Sequence, residues 1–176
     1  MLLTDKKRKI TAQTIAFTAV FAALVCLATF VSVPLPFGYF NLGDIFVLLS
    51  SWCMGPVLGA VASGVGSALA DILMGYVVYA PTTLIIKAGI ALAAYFSYVF
   101  LGKLLSKFEL VPRAISAILG ESVMVGGYFL YECFVLGYGV GAVASLPGNA
   151  TLGVAAVVIA TALIIPVRKQ LGKILK

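Results

Sequence analysis

The chain has 176 residues, of which 62% are hydrophobic and 10% are charged, and its formal net charge is +6. Soluble domains carry about 25% charged residues, so this composition predicts an integral membrane protein and excludes a separate soluble ATPase or kinase domain. Because the basic residues flank apolar segments, the positive charge is a topology signal and does not indicate nucleic-acid binding.

Six apolar segments follow one another and predict six transmembrane helices, since a span takes roughly 20 residues. Prolines and glycines separate them, as in the loop Val33–Asn41 and the turn Met54–Pro56. We therefore predict an all-α membrane protein with a single domain, residues 1–176, and no separate soluble part. The predicted spans are residues 10–33, 42–53, 56–75, 82–101, 112–136 and 149–166.

The basic residues assign one orientation to this six-span topology. They lie before the first predicted span, between the fourth and fifth spans, and after the sixth, at residues 6–9, 103–113 and 168–176. The three long loops on the other side contain no lysine or arginine. The positive-inside rule therefore predicts that both termini are cytosolic.

The sequence offers little for metal or cofactor chemistry. Histidine is absent. The three cysteines, Cys26, Cys53 and Cys133, are isolated within apolar segments. This pattern is typical of small core residues and not of a zinc or disulfide framework, so we expect no metal and no cofactor.

Five ionisable residues fall inside the predicted spans: Asp44, Asp71, Lys87, Glu121 and Glu132. A charge in hydrocarbon costs on the order of 2.5 to 3.5 kcal/mol by insertion scales, so each needs a structural or functional reason. The span directions place all but Glu121 near the outer side, together with Asn149 at the start of span six. Each is also compatible with a structural role, as a solvated span end or an ion pair.

Helical spacing strengthens the prediction of a polar pocket. Glu121, Tyr128 and Glu132 recur at i, i+7 and i+11 and share one helix face. The outer tyrosines, which include Tyr76 and Tyr79, fit either this pocket or an interfacial aromatic belt. The candidate ligand-binding residues are Asn41, Asp44, Asp71, Tyr76, Tyr79, Lys87, Glu121, Tyr128, Glu132 and Asn149. Since four carboxyls face one lysine, the pattern favours a neutral or cationic aromatic ligand over a phosphorylated one.

Several segments resemble the substrate-binding (S) components of energy-coupling factor (ECF) vitamin transporters. They are Phe40–Ile45, Trp52–Gly59, Gly66–Asp71, Gly75-Tyr76, Ala80-Pro81, Ile85–Lys87, Gly120-Glu121, Gly127-Tyr128 and Pro147–Asn149. The resemblance covers nearly the whole chain and is greatest to the branch assigned to hydroxymethylpyrimidine or vitamin B6 compounds. Members of that branch are often labelled as riboflavin S components.

The resemblance implies a six-helix S component without catalytic activity in the cytoplasmic membrane of a bacterial cell, with a vitamin pocket near the outer surface. The loop between spans one and two would form its lid. The implied partners are a transmembrane coupling (T) subunit and two cytosolic ATPase subunits. Small residues at matching spacing on span one would contact the T subunit: Ala12, Ala16, Ala19 and Ala23.

Three other functions remain open alternatives. A riboflavin-specific S component is the nearest of them. A self-sufficient proton-coupled carrier would use Glu121 and Glu132 as a relay, although no inverted repeat supports alternating access. An intramembrane enzyme would use Asp44 and Asp71 as an aspartyl pair, but no flanking motif supports that reaction.

Overall fold

A computed structural model describes residues 11–35 and 38–174 of the chain. The basic residues at 6–9, the predicted first span residue Ile10 and Lys176 lie outside these ranges. Most of the described residues are helical. The elements in chain order are α1 (Ala12–Phe30), β1 (Ser32–Leu35), β2 (Gly38–Asn41), α2 (Gly43–Met54), α3 (Pro56–Leu73), α4 (Ala80–Leu104), α5 (Leu110–Leu130), a π-helical turn (Tyr131–Val135), a 3-10 helix (Gly139–Ser145) and α6 (Leu146–Ile174).

Five helical segments in the described ranges are long and apolar enough to cross a membrane: Ala12–Phe30, Pro56–Leu73, Ala80–Leu104, Leu110–Val135 and Gly139–Lys173. The sixth apolar helix, α2, has 12 residues. At 1.5 Å per residue it is about 18 Å long, shorter than a hydrocarbon core of about 30 Å. The helical membrane bundle agrees with the sequence-based prediction, whereas a full crossing by α2 stays a prediction.

The chain reverses direction directly after the short helix α2, at a turn that is buried in the bundle. Gly55 ends it with φ +85°, a left-handed conformation that favours glycine. Pro56 then occupies the first turn of α3, where its missing N–H removes no helical hydrogen bond. The residues from Ser51 to Gly55 are all buried, so this turn packs against other helices.

Small residues on α3 allow two neighbouring helices to approach closely. On one side, the Ser63 hydroxyl lies 2.9 Å from the Ser50 hydroxyl of α2. On another, a Cβ added to Gly66 would clash with the Ala22 carbonyl oxygen of α1. The small-residue pattern of α3 therefore sets the spacing of three helices.

Three local predictions differ from the structure. The predicted loop Val33–Asn41 belongs to a two-stranded antiparallel hairpin in which Ser32 is opposite Asn41, and Pro34 is compatible with such an edge strand. The segment 137–148, predicted as a loop because it lies between the fifth and sixth predicted spans, contains a 3-10 helix and the start of α6. Finally, α6 runs past its predicted end at Pro166 to Ile174, because a proline within a membrane helix is tolerated where neighbouring groups compensate.

Arg113 also differs from its sequence-based interpretation as a flanking surface charge. It lies in the first turn of α5 and is only 1% exposed. Its guanidinium donates to the Tyr98 hydroxyl at 3.0 Å and stacks over the Tyr98 and Trp52 rings. Because Trp52 belongs to α2, this contact joins α5 to the last turn of that short helix.

Successive helices alternate in direction, so distant parts of the sequence meet at each end of the bundle. The carboxyl ends of α1, α3 and α5 meet the amino ends of α2, α4 and α6 at one end, which we call the cavity end. The opposite end carries Glu109, whose carboxylate lies 2.8 Å from Arg168 and 3.8 Å from Arg113. Exposed apolar side chains such as Ile85, Phe100 and Val158 cover the flanks, as expected of a lipid-facing surface.

Candidate ligand-binding cavity

A cavity of about 300 Å³ opens at the cavity end of the bundle. This volume is at the small end of the range for small-molecule sites. The hairpin base, all the long helices and the loop before α4 contribute to its walls. Its lining residues are Thr29, Ser32, Asn41, Asp71, Met74, Tyr76, Tyr79, Thr83, Lys87, Met124, Tyr128, Glu132, Ser145, Asn149 and Leu152.

A buried ion pair lies at the deep side of this cavity. The Lys87 ammonium on α4 donates to Asp44 Oδ1 on α2 at 2.5 Å, and the two side chains are 7% and 1% exposed. The same ammonium lies 3.6 Å from the Met124 sulfur and 5.7 Å from the centre of the Tyr128 ring. Lys87 therefore lies between the cavity and the core. Asp44, on the core side, neutralises its charge.

Further hydrogen-bonding groups line the wall of the cavity. The Thr83 and Tyr128 hydroxyls lie 3.0 Å apart and link α4 to α5. Asp71, near the end of α3, is buried, and its Oδ2 has no hydrogen-bond partner among the described residues. A carboxylate oxygen left in this state is costly, so it is a site for a donor supplied by a ligand or by water.

The outer rim joins the loop before α4 to the end of α5. The Tyr131 hydroxyl donates to the Val78 carbonyl oxygen at 2.6 Å, and the rings of Tyr79 and Tyr131 meet edge to face. The Tyr79 hydroxyl points to Glu132 Oε1 at 3.5 Å. Burial, followed by the charge of Glu132, raises the pKa of the Tyr79 phenol, so the group stays a proton donor.

A π-helical turn carries Glu132 at this rim. Such turns insert one extra residue into an α-helix and occur often at functional sites. The insertion changes the direction of the residues that follow it. Glu132 is buried and lines the cavity, whereas Phe134 in the same turn is exposed.

The hairpin contributes two paired residues, Ser32 and Asn41, to the cavity. The Asn41 side-chain oxygen accepts from the Gly43 amide at 2.9 Å. This bond fixes the side chain at the start of α2 and leaves its NH₂ group as a donor. Asn149 in the first part of α6 lines the cavity as well.

Eight of the ten candidate residues line this one cavity: Asn41, Asp71, Tyr76, Tyr79, Lys87, Tyr128, Glu132 and Asn149. The other two candidates do not line it. Asp44 lies beneath, as the partner of Lys87. Glu121 is seven residues before Tyr128, about 10 Å deeper along α5, and lines a separate groove with Gly153 of α6.

Sequence reasoning missed several lining residues, among them Thr83 and Met124. Each precedes a candidate by four residues, Lys87 and Tyr128 respectively, so helical spacing contained the signal. Met74 and Leu152 follow the candidates Asp71 and Asn149 by three residues, so helical spacing contained a signal for them as well. Thr29, Ser32 and Ser145 were missed because no candidate lies at helical spacing from them within the same predicted span. They reach the cavity through the tertiary fold.

The four predicted contact residues on α1, Ala12, Ala16, Ala19 and Ala23, are all exposed. Ala19 and Ala23 lie in an apolar groove between α1 and α3, with Val61 and Val65 on its other side. The described part of the chain contains no group of three or more His, Cys, Asp or Glu residues that could hold a metal.

Comparison with known proteins identifies a matching family, a related protein and a similar solved structure. The model of the family described as the ECF-type riboflavin transporter, S component, matches residues 9–170. An uncharacterised protein of Pyrococcus woesei is 34% identical over 160 residues, which cover 88% of this chain and 100% of that protein. A solved structure of the S component of a bacterial ECF transporter is similar with a TM-score of 0.66. The two sequences are 22% identical, and the match covers 93% of this chain and 98% of the solved chain, so this likeness shows the fold.

Proposed function

The chain belongs to the family of S components of ECF-type riboflavin transporters, and from this premise we propose that it captures a small aromatic vitamin or precursor. S components are substrate-binding subunits of membrane transporters and not enzymes. The proposed ligand is neutral or cationic, such as pyridoxine, pyridoxamine or hydroxymethylpyrimidine. The proposed orientation places the cavity end at the outer face of the membrane.

The observation that carries this proposal is the cavity itself. It has about 300 Å³ of space, and its walls combine the apolar side chains of Met74, Met124 and Leu152 with a ring of polar groups. Apolar walls with a few placed polar groups are typical of sites for small ligands. The size and the polar ring favour a compact, hydrogen-bonding aromatic molecule.

Energy for transport would come from other subunits. We propose that the exposed alanines of α1 contact a transmembrane T subunit, and that two cytosolic ATPase subunits drive the release of the vitamin inward. A surface of small residues supports this assignment because it lets another helix approach closely.

Riboflavin is the second candidate ligand, since the matching family is described by that vitamin. It carries a three-ring system and a ribityl chain, so it needs more room than a one-ring vitamin. Mass spectrometry of the ligand that copurifies with the protein from cells distinguishes the two. We expect a one-ring compound, and bound riboflavin would replace our first candidate with the second.

The transport role is tested by reconstituting the purified protein in liposomes with and without its T and ATPase subunits. We expect ligand binding in both preparations and ATP-dependent uptake only in the complete one. Uptake by the isolated protein in a proton gradient would support a proton-coupled carrier. In that case Glu121, whose two carboxylate oxygens have no hydrogen-bond partner among the described residues, would be a candidate relay group.

A further inference from the structure

The charges around the cavity do not balance. Lys87 is the one lysine or arginine among the described residues that line it. Its ammonium is already paired with Asp44 at 2.5 Å, and Asp44 lies beneath the cavity with 1% exposure. The hairpin residues 33–40 carry no lysine or arginine in their sequence. The positive charge of Lys87 is therefore neutralised within the protein by Asp44 and does not balance a second carboxylate.

Two carboxyl groups remain on the cavity wall, one from α3 and one from the π-helical turn. The Asp71 Oδ2 atom is buried without a hydrogen-bond partner in the described part of the chain. Glu132 faces Tyr79 at 3.5 Å, a long hydrogen bond from a neutral donor. Both side chains are 9% exposed, so bulk water solvates them poorly.

From this imbalance we propose that the ligand supplies the missing cation, a protonated amine that pairs with Asp71 and Glu132. The inference deepens the proposed capture of a small aromatic vitamin and rests on it. A charge-assisted hydrogen bond to a buried carboxylate is about twice as strong as a neutral one. The two carboxylates thus select an aromatic ring that bears an ammonium group over one that bears a hydroxyl group.

The remaining lining residues fit the rest of such a molecule. Met74, Met124 and Leu152 supply an apolar surface for the ring, and the tyrosines Tyr76, Tyr79 and Tyr128 also line the cavity. Cations also bind aromatic faces, so the tyrosines of the rim add to the preference for positive charge. The deep side of the cavity, where Lys87 lies, would meet an uncharged acceptor on the ring.

The contribution of this positive charge can be measured with two commercially available ligands that differ in one substituent. Pyridoxamine carries an aminomethyl group, protonated at pH 7, where pyridoxine carries a hydroxymethyl group on the same ring. Calorimetric titration of the purified wild-type protein with each, and with riboflavin, gives three dissociation constants. We expect pyridoxamine to bind at least about tenfold more tightly than pyridoxine.

The variants Asp71→Asn and Glu132→Gln keep the shape of each side chain and remove its charge. We expect either to bring the two dissociation constants closer together by about tenfold, chiefly by weakening pyridoxamine. Glu109→Gln is the matched control, because it makes the same change at the opposite end of the bundle. It should leave the wild-type preference unchanged. Ligand-free melting curves verify that each variant is folded.

Each result decides a different point. Equal or tighter binding of pyridoxine or riboflavin by the wild type would overturn the cation inference and leave vitamin capture standing. A preference for pyridoxamine that survives in both carboxylate variants would overturn the assignment to Asp71 and Glu132. Failure of the wild type to bind any of the three would count against the proposed vitamin and, with it, the inference.

Discussion

At the scale of single residues, the ion pair of Lys87 and Asp44 combines two roles that the sequence could not separate. The pair is buried and joins α4 to α2, which is a structural contact. Lys87 also lines the cavity, so a ligand can reach it. Removing the lysine alone would leave Asp44 as an uncompensated buried charge, so its effect on stability must be measured apart from its effect on binding.

We expect Lys87→Met to destabilise the ligand-free protein by about 3–5 kcal/mol, the cost of breaking a buried ion pair. The double variant Lys87→Met with Asp44→Asn should recover most of this loss, because no unpaired charge remains. Melting of the purified, ligand-free proteins measures both. Lys103→Met makes the same change at an exposed position near the other end of α4 and should melt like the wild type.

The double variant also tests the contact of Lys87 with the ligand. If Lys87 donates a hydrogen bond to the bound vitamin, the folded double variant should bind the vitamin about tenfold to a hundredfold more weakly than the wild type. Wild-type affinity in that variant would show that Lys87 is structural only. Wild-type melting of the single variant would contradict the ion pair.

At the scale of helices and strands, close packing depends on residues without side chains at a few crossing points. One such close approach is between α1 and α3, where a Cβ on Gly66 would clash with a backbone oxygen of Ala22. Backbone cannot rotate away as a flexible side chain can. The two helices would have to separate, which disturbs contacts along the whole pair.

Gly66→Ala should therefore destabilise the protein by about 1–3 kcal/mol, a typical cost of overpacking. Gly126→Ala on α5 is the control, because a Cβ there meets nothing within 4 Å. Alanine is the better helix former by about 1 kcal/mol, so this control should be neutral or slightly stabilising. Thermal melting of both variants measures the difference, and equal melting temperatures would refute a tight α1–α3 crossing.

The exposed face of α1 gives a second prediction at this scale. Ala19→Leu and Ala23→Leu should leave ligand binding near the wild-type value but abolish uptake in the complete transporter, because a larger side chain blocks approach of the T subunit. Ala162→Leu, an exposed alanine on α6, is the matched control and should retain uptake. If binding and uptake fall together in these variants, the exposed face of α1 affects the cavity, and its assignment to the T subunit is wrong.

At the scale of the whole molecule, charge is distributed unequally between the two ends. In the described ranges, Lys103, Lys107, Arg113, Arg168, Lys169 and Lys173 all lie towards the opposite end, whereas Lys87 belongs to the cavity. The positive-inside rule predicts that the opposite end is cytosolic, so we expect the cavity end to face outward. This orientation suits a protein that captures its ligand from outside.

We predict that both termini are cytosolic. A reporter enzyme that is active only outside the cytosol should be inactive when fused to the C-terminus, while a reporter that matures only in the cytosol should be active at the same position. The paired fusions control for expression. The reverse pattern would invert the orientation and place the cavity on the cytosolic face.

The sequence by itself determined the membrane class, the alternation of helix direction and most of the candidate site. Membrane insertion and helix direction depend on local properties of the chain. These are the hydrophobicity over about 20 residues, the positions of proline and glycine, and the positions of charges. Eight of the ten candidate residues line one cavity, since a rare charge inside an apolar span needs a partner or a ligand wherever it lies.

Only the tertiary structure decided which charges are paired with each other. Asp44 pairs with Lys87, Glu121 lies outside the cavity, and Arg113 stacks over Trp52 of the short helix α2. The structure alone revealed the hairpin and the π-helical turn that carries Glu132. These outcomes depend on distances between helices far apart in the sequence, which hydropathy and periodicity do not specify because both describe one helix at a time.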